Sequence, residues 1–175
     1  MLRAMRPIKR FVIHCSATPN GRAVSIADID RWHRERGFKR QAAARQAFKP
    51  ELSSVGYHYV IELDGTLRAG RLPDEIGAHA AGHNTDSIAV CLVGTDAFTA
   101  KQWHNLVRVI GEMGARFGPL QILGHRDLSP DTDGDGKVEK HEWLKTCPGF
   151  DVARWLAAGM KPESRNVLPN HKAAL

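Results

Sequence analysis

Residues 55–68 read V-G-Y-H-Y-V-I-E-L-D-G-T-L-R. Residues 55–63 are rich in β-branched and aromatic side chains, which predicts a strand. Asp64-Gly65 is the strongest short hairpin signal in the chain. Thr66-Leu67-Arg68 supplies the return strand. A tight turn joins only antiparallel strands, whereas strands separated by helices return parallel. The rest of the chain is of the second kind. Together they predict an α/β fold, one mixed central sheet flanked by helices on both faces.

Outward from the hairpin, residues 87–93 (S-I-A-V-C-L-V) are a continuous apolar run, as expected of a central strand covered on both faces. Phe11 to His14 and Leu120 to Leu123 are shorter runs of the same kind. A helix is expected from Ser25, with Asp28 at capping-box distance and Gly37 at its end. Ile26, Ile29 and Trp32 or His33 give it an apolar face. A second helix follows Thr99, with Gln102 completing the box and Gly118-Pro119 closing it. Its apolar face reads Trp103, Leu106, Val107, Ile110 and Met113. Residues 39–50 are basic and alanine-rich, and fit a short helix or a loop equally. A terminal helix over 151–158 should pack Val152, Trp155 and Leu156 inward. Residues 159–175 turn polar and read as a loosely held tail.

The chain has 175 residues, 42% hydrophobic and 25% charged, enough for one core. No run approaches the roughly 20 apolar residues of a membrane span, so no membrane insertion is expected. The basic first ten residues lack the apolar stretch and cleavage site of a signal peptide, so synthesis in the cytoplasm is expected. Three cysteines are an odd number without framework spacing, which favours metal binding over disulfides. The net charge of +6 attracts polyanions. No Arg/Lys stripe with interleaved aromatics accompanies it, so nucleic acid is not expected as a partner. A monomer is expected.

Chemistry concentrates in residues 123–150, L-G-H-R-D-L-S-P-D-T-D-G-D-G-K-V-E-K-H-E-W-L-K-T-C-P-G-F. His125 opens the stretch and Cys147 closes it. His14 ends the first strand. In a parallel sheet, sites gather at the C-terminal ends of strands, where His14 and His125 both lie. Two histidines and a cysteine are a known zinc set, although nine histidines allow many triples. Between the ends, Asp131, Asp133, Asp135, Lys137 (through its carbonyl) and Glu142 match the D-x-D-x-D-G-x5-E calcium-loop pattern. Pro130 and the preceding strand leave no entering helix for a full hand. An acidic solvated turn is the alternative reading.

Five blocks in order resemble the type 2 N-acetylmuramoyl-L-alanine amidases, a family that includes T7-type phage lysozyme-amidases and peptidoglycan recognition proteins. They are V-I-H-C-S-A-T at 12–18, G-Y-H-Y at 56–59, G-A-H-A-A-G-H-N at 77–84, S-I-A-V-C-L-V-G at 87–94, and Gly124-His125 with K-T-C-P-G-F at 145–150. The resemblance implies a zinc amidase domain over 8–158, interrupted by the acidic loop at 131–142, and a tail over 159–175. It implies zinc held by His14, His125 and Cys147. It gives catalytic roles to Tyr57 and Lys145, and places His79 and Asn84 along the substrate groove. The implied reaction cleaves the amide between the lactyl group of N-acetylmuramic acid and L-alanine of peptidoglycan. Such an endolysin waits in the cytoplasm and reaches the wall after release. A non-catalytic peptidoglycan-binding module on the same fold is the alternative; retention of Cys147, Tyr57 and Lys145 favours the enzyme. Of the remaining histidines, His58 reads as structural, and His33, His104, His141 and His171 as surface residues. Cys15 and Cys91 read as buried small side chains.

Overall fold

The computed structural model describes residues 6–169. Its five strands are β1 (Arg10–Cys15), β2 (Tyr59–Ile61), β3 (Leu67–Ala69), β4 (Ser87–Leu92) and β5 (Gln121–Gly124). They form one sheet in the order β3-β2-β4-β1-β5. The β2–β3 pair is antiparallel and every other pair is parallel, so the sheet is mixed as expected. All of β4 is buried, in keeping with its central place.

The described residues also form four α-helices: α1 (Ile26–Glu35), α2 (Ala42–Ala47), α3 (Ala100–Phe117) and α4 (Val152–Ala157). Strand alternation sorts the core into two layers. Phe11, Ile13, Ile88, Val90 and Leu92 face α3 and α4, meeting Leu106, Val109, Phe150 and Trp155. Val60, Cys91 and Val93 face the other way, toward Ile29 of α1 and Val55. Each such large apolar side chain stabilises the fold by about 1.5–3 kcal/mol relative to exposure.

Both expected capping boxes form, at Ser25 with Asp28 and at Thr99 with Gln102. Gln102 does more than cap. Its Nε2 donates to the carbonyls of Val93 (2.9 Å) and Ile61 (3.3 Å), tying α3 to the ends of two strands. Val109, rather than the expected Val107, joins the apolar face of α3, and Val107 is exposed. The residue choice shifts because α3 turns its Trp103–Leu106–Ile110 face squarely onto the sheet. Residues 39–50 resolve into the short helix α2, which buries none of its own side chains.

Two further expectations are corrected. The strand predicted over 55–63 is regular only from Tyr59 to Ile61, with His58 N–H still donating to Ala89 O, and residues 54–56 are drawn out of the sheet. The reason lies in α1. Asp30 is buried, and its Oδ1 accepts from the backbone N–H of Ser54 and Val55. His33 Nδ1 accepts from Gly56 N–H at 2.9 Å. These side chains take the amides that a sheet ladder would otherwise use. His33 is therefore buried, not a surface residue. The second correction concerns the tail, which is docked as far as residue 168. Asn166 is buried, its Nδ2 donates to Asp96 O, and its carbonyl accepts from Phe98 N–H and Trp103 Nε1–H. His104 and His141 are exposed as expected; His171 lies outside the described residues.

Candidate active site

The site stands where β1 and β5 end side by side. Ile13 pairs with Gly124 in parallel register, so His14 and His125 emerge next to each other. Their ring centroids are 4.5 Å apart. Cys147 reaches them from the far end of the 126–147 segment. Arg126 N–H donates to the Cys147 carbonyl at 2.9 Å, and Cys15 N–H donates to Cys147 Sγ at 3.1 Å. One ligand atom from each of His14, His125 and Cys147 lies within 4.8 Å of the other two. Three residues spread over 134 positions thus converge without any local motif.

The surroundings bring the donors close to a ligating state. Burial, then the neighbouring His79, holds His14 well below the ordinary imidazole range. Burial and the Lys145 charge lower His125. Both rings are neutral near pH 7, as metal ligands must be. A hydrogen bond with Cys15, followed by burial, pushes the Cys147 thiol up. A bound cation reverses that tendency, because a coordinating thiol is deprotonated. Two neutral imidazoles and a thiol suit a borderline-soft divalent ion, with a fourth position left for water.

Tyr57 packs beside this cluster, its ring 5.0 Å from that of His14 and 5.1 Å from that of His33. The clamp of Asp30 and His33 on residues 54–56 sets its position. Burial raises the Tyr57 phenol well above its usual value, so it stays protonated. Lys145 is exposed at the rim. These residues share a groove of about 520 Å³ with Arg36, Phe38, His79 and Leu144. A hollow of comparable size, about 590 Å³, separates the starts of α1 and α3 but holds no His, Cys or Tyr.

His79 and Asn84 line the groove, yet both ring nitrogens of His79 and Oδ1 of Asn84 are engaged within the protein. Asn84 Oδ1 accepts from the N–H groups of His79 (2.9 Å) and Ala80 (3.0 Å). His79 Nδ1 meets His14 Nε2 at 3.0 Å. His58 is buried on the other side of its segment, where Ala89 N–H donates to its Nδ1 at 3.0 Å. Asp30 and His33 are the residues that sequence reasoning missed. Their signal was a polar pair three positions apart on the apolar face of α1.

The acidic loop is separate. Asp131, Asp133 and Asp135 are exposed, and their carboxylates approach within 4.8 Å of one another. Glu142 groups instead with Asp133 and His141. Its oxygens accept from Thr132 N–H and Oγ1–H, Asp133 N–H and Glu139 N–H. Those bonds, led by the one from Glu139, lower the carboxyl to about 2. Lys137 donates its own N–H to Asp135.

Compared with known proteins, residues 4–150 match the pattern of the N-acetylmuramoyl-L-alanine amidases. The chain belongs to this amidase family. The endolysin of Enterobacteria phage K11 is 34% identical over 86% of this chain and 86% of its own length. Two solved structures carry the same fold. The N-acetylmuramoyl-L-alanine amidase LysC from Clostridium intestinale superimposes with a TM-score of 0.64 at 22% identity, covering 89% of this chain and 86% of that one. The Drosophila peptidoglycan recognition protein SD does so at 0.54 and 19%, covering 95% and 88%. Among the described residues of this family member, no helix is long and apolar enough to cross a membrane.

Proposed function

We infer that this chain is a zinc-dependent endolysin that hydrolyses the amide between the lactyl group of N-acetylmuramic acid and L-alanine in peptidoglycan. The observation that carries this reading is the convergence of His14, His125 and Cys147, with Tyr57 packed on His14 and with His125, Tyr57 and Lys145 lining one groove. Zinc held there supplies an activated water near neutral pH and polarises the amide carbonyl. The protein's own groups do the rest. Tyr57, kept protonated, donates a hydrogen bond or proton at the reacting amide. The Lys145 ammonium stabilises negative charge developing on the carbonyl oxygen. Phe38 and Leu144 give the groove apolar walls that orient the substrate.

The family and the phage relative support action on the cell wall. The net charge of +6 supplies attraction to an anionic wall. The likeness to a peptidoglycan recognition protein keeps a binding-only module as the second reading. Mass spectrometry of digested peptidoglycan separates the two. New free L-alanine amines are expected; wall binding with no new amine overturns the hydrolase.

The same reading extends to calcium at Asp131, Asp133, Asp135, the Lys137 carbonyl and Glu142. For that, Glu142 has to exchange its bonds to Thr132, Asp133 and Glu139 for the ion. Titration calorimetry on metal-stripped protein is expected to show calcium uptake that is lost in Asp133→Ala; a flat titration with the unaltered chain ends the idea.

A further inference from the structure

Both ring nitrogens of His79 are occupied, and the far end of the chain they belong to is unambiguous. Ser87 Oγ lies 2.6 Å from the His83 carbonyl, which can only accept, so the serine hydroxyl is the donor there. Ser87 is completely buried. With its hydrogen committed, its oxygen accepts from His79 Nε2–H, 3.1 Å away. A neutral imidazole carries one hydrogen, so His79 Nδ1 is then an acceptor. The group facing it at 3.0 Å is His14 Nε2, which must therefore be the N–H. That leaves Nδ1 as the nitrogen of His14 with a free lone pair.

The surrounding residues hold His79 for this contact. Asn84 fixes its backbone through two hydrogen bonds. A Cβ on Gly77 would come within 2.7 Å of the His79 ring and 2.9 Å of the His58 ring, so only glycine leaves room. The His79 and His14 rings meet edge to face at 87°, with centroids 5.0 Å apart. A side chain used only to touch substrate would not need both its nitrogens bonded inward.

We propose that His79 is a positioning residue: the chain from His14 Nε2–H through His79 and Ser87 to the His83 carbonyl fixes the tautomer and orientation of His14, presenting its Nδ1 to the metal. This rests on the zinc reading above and adds an outer partner to one ligand. A ligating histidine generally donates its other N–H to such a partner, and losing it weakens metal binding about 10- to 100-fold.

The test uses full-length protein with His79→Ala, His79→Asn and Ser87→Ala. Asparagine places an acceptor oxygen near the position of Nδ1. Two readouts are taken. Nitrogen-15 NMR of the metal-free protein reports the His14 tautomer, and chelator competition reports zinc affinity. The unaltered protein is expected to show His14 as the Nε2–H tautomer. His79→Ala should lose that preference and bind zinc about 10- to 100-fold more weakly. His79→Asn should recover most of both, and Ser87→Ala should show a smaller loss. An Nδ1–H tautomer in the unaltered protein overturns the proposal. So does a His79→Ala variant with unchanged tautomer and zinc affinity whose only defect is a raised KM, which would make His79 a substrate contact. If the unaltered protein binds no zinc, the functional reading fails, while the tautomer measurement still decides the hydrogen-bond chain.

Discussion

At the level of single residues, the site makes sharp demands. On the proposed zinc reading, loss of Cys147 leaves two imidazoles with no thiolate to complete the set. Cys147→Ser is expected to fold normally, retain little zinc on dialysis and lose nearly all wall-clearing activity. Full lytic rate in that variant would contradict the metal assignment. Tyr57→Phe keeps the ring that packs on His14 and His33 but removes the donor. It should bind zinc as before and lose about 10²-fold or more in kcat. The meeting of His14, His125 and Cys147 could be foreseen because each ends a recognisable segment or lies in a distinctive block. Asp30 and His33 left only a partial trace. Helical periodicity can put His33 on the apolar face of α1, but nothing local announces that the partner of a buried polar group is a backbone amide 23–25 residues further on.

At the level of elements, helix starts were legible because capping is local chemistry. Ser25 with Asp28 and Thr99 with Gln102 are read directly from residues three apart. The Thr99 hydroxyl also donates to Leu63 O, so Thr99→Ala should cost at least the usual ~1 kcal/mol of a lost cap, measured as a lower midpoint in denaturant. The length of β2 was not legible. A β-rich composition says that residues 55–58 can extend, but side chains of α1 take the amides of Val55 and Gly56. The loop after β3 is held by a different device. Glu75 is buried between Arg40, 2.7 Å away, and Arg71, whose guanidinium also donates to the Val55 and Ile76 carbonyls. Glu75→Ala would leave two buried guanidinium groups short of a counter-charge. A loss of about 3–5 kcal/mol is expected, against near-neutral effects at exposed acids such as Glu51.

Across the whole molecule, buried neutral histidines set the response to acid. Burial lowers His33 to about 4 and His58 to about 3, against an ordinary value of 6.5 in the unfolded chain. Below pH 6.5 the unfolded state takes up protons that the native state refuses. Stability is therefore full above that pH and falls as pH drops, levelling near 4 for His33 and near 3 for His58. His33 alone represents roughly 3 kcal/mol over its window. Thermal unfolding midpoints measured from pH 7 to 3.5 should decline throughout, and a flat profile would contradict the burial of these rings. The basic surface predicts wall-clearing rates that drop as ionic strength rises. The topology adds a consequence for how the chain tolerates change. The segment between His125 and Cys147 is closed at its neck, by Arg126 N–H on the Cys147 carbonyl, Leu144 N–H on Ser129 Oγ, and the Arg126 guanidinium stacked 4.0 Å from the Trp143 ring. Whatever hangs beyond that neck is mechanically isolated from the strands that carry His14 and His125. The acidic tip is thus an interchangeable cassette, a place where length and composition can be rewritten while Cys147 stays in register.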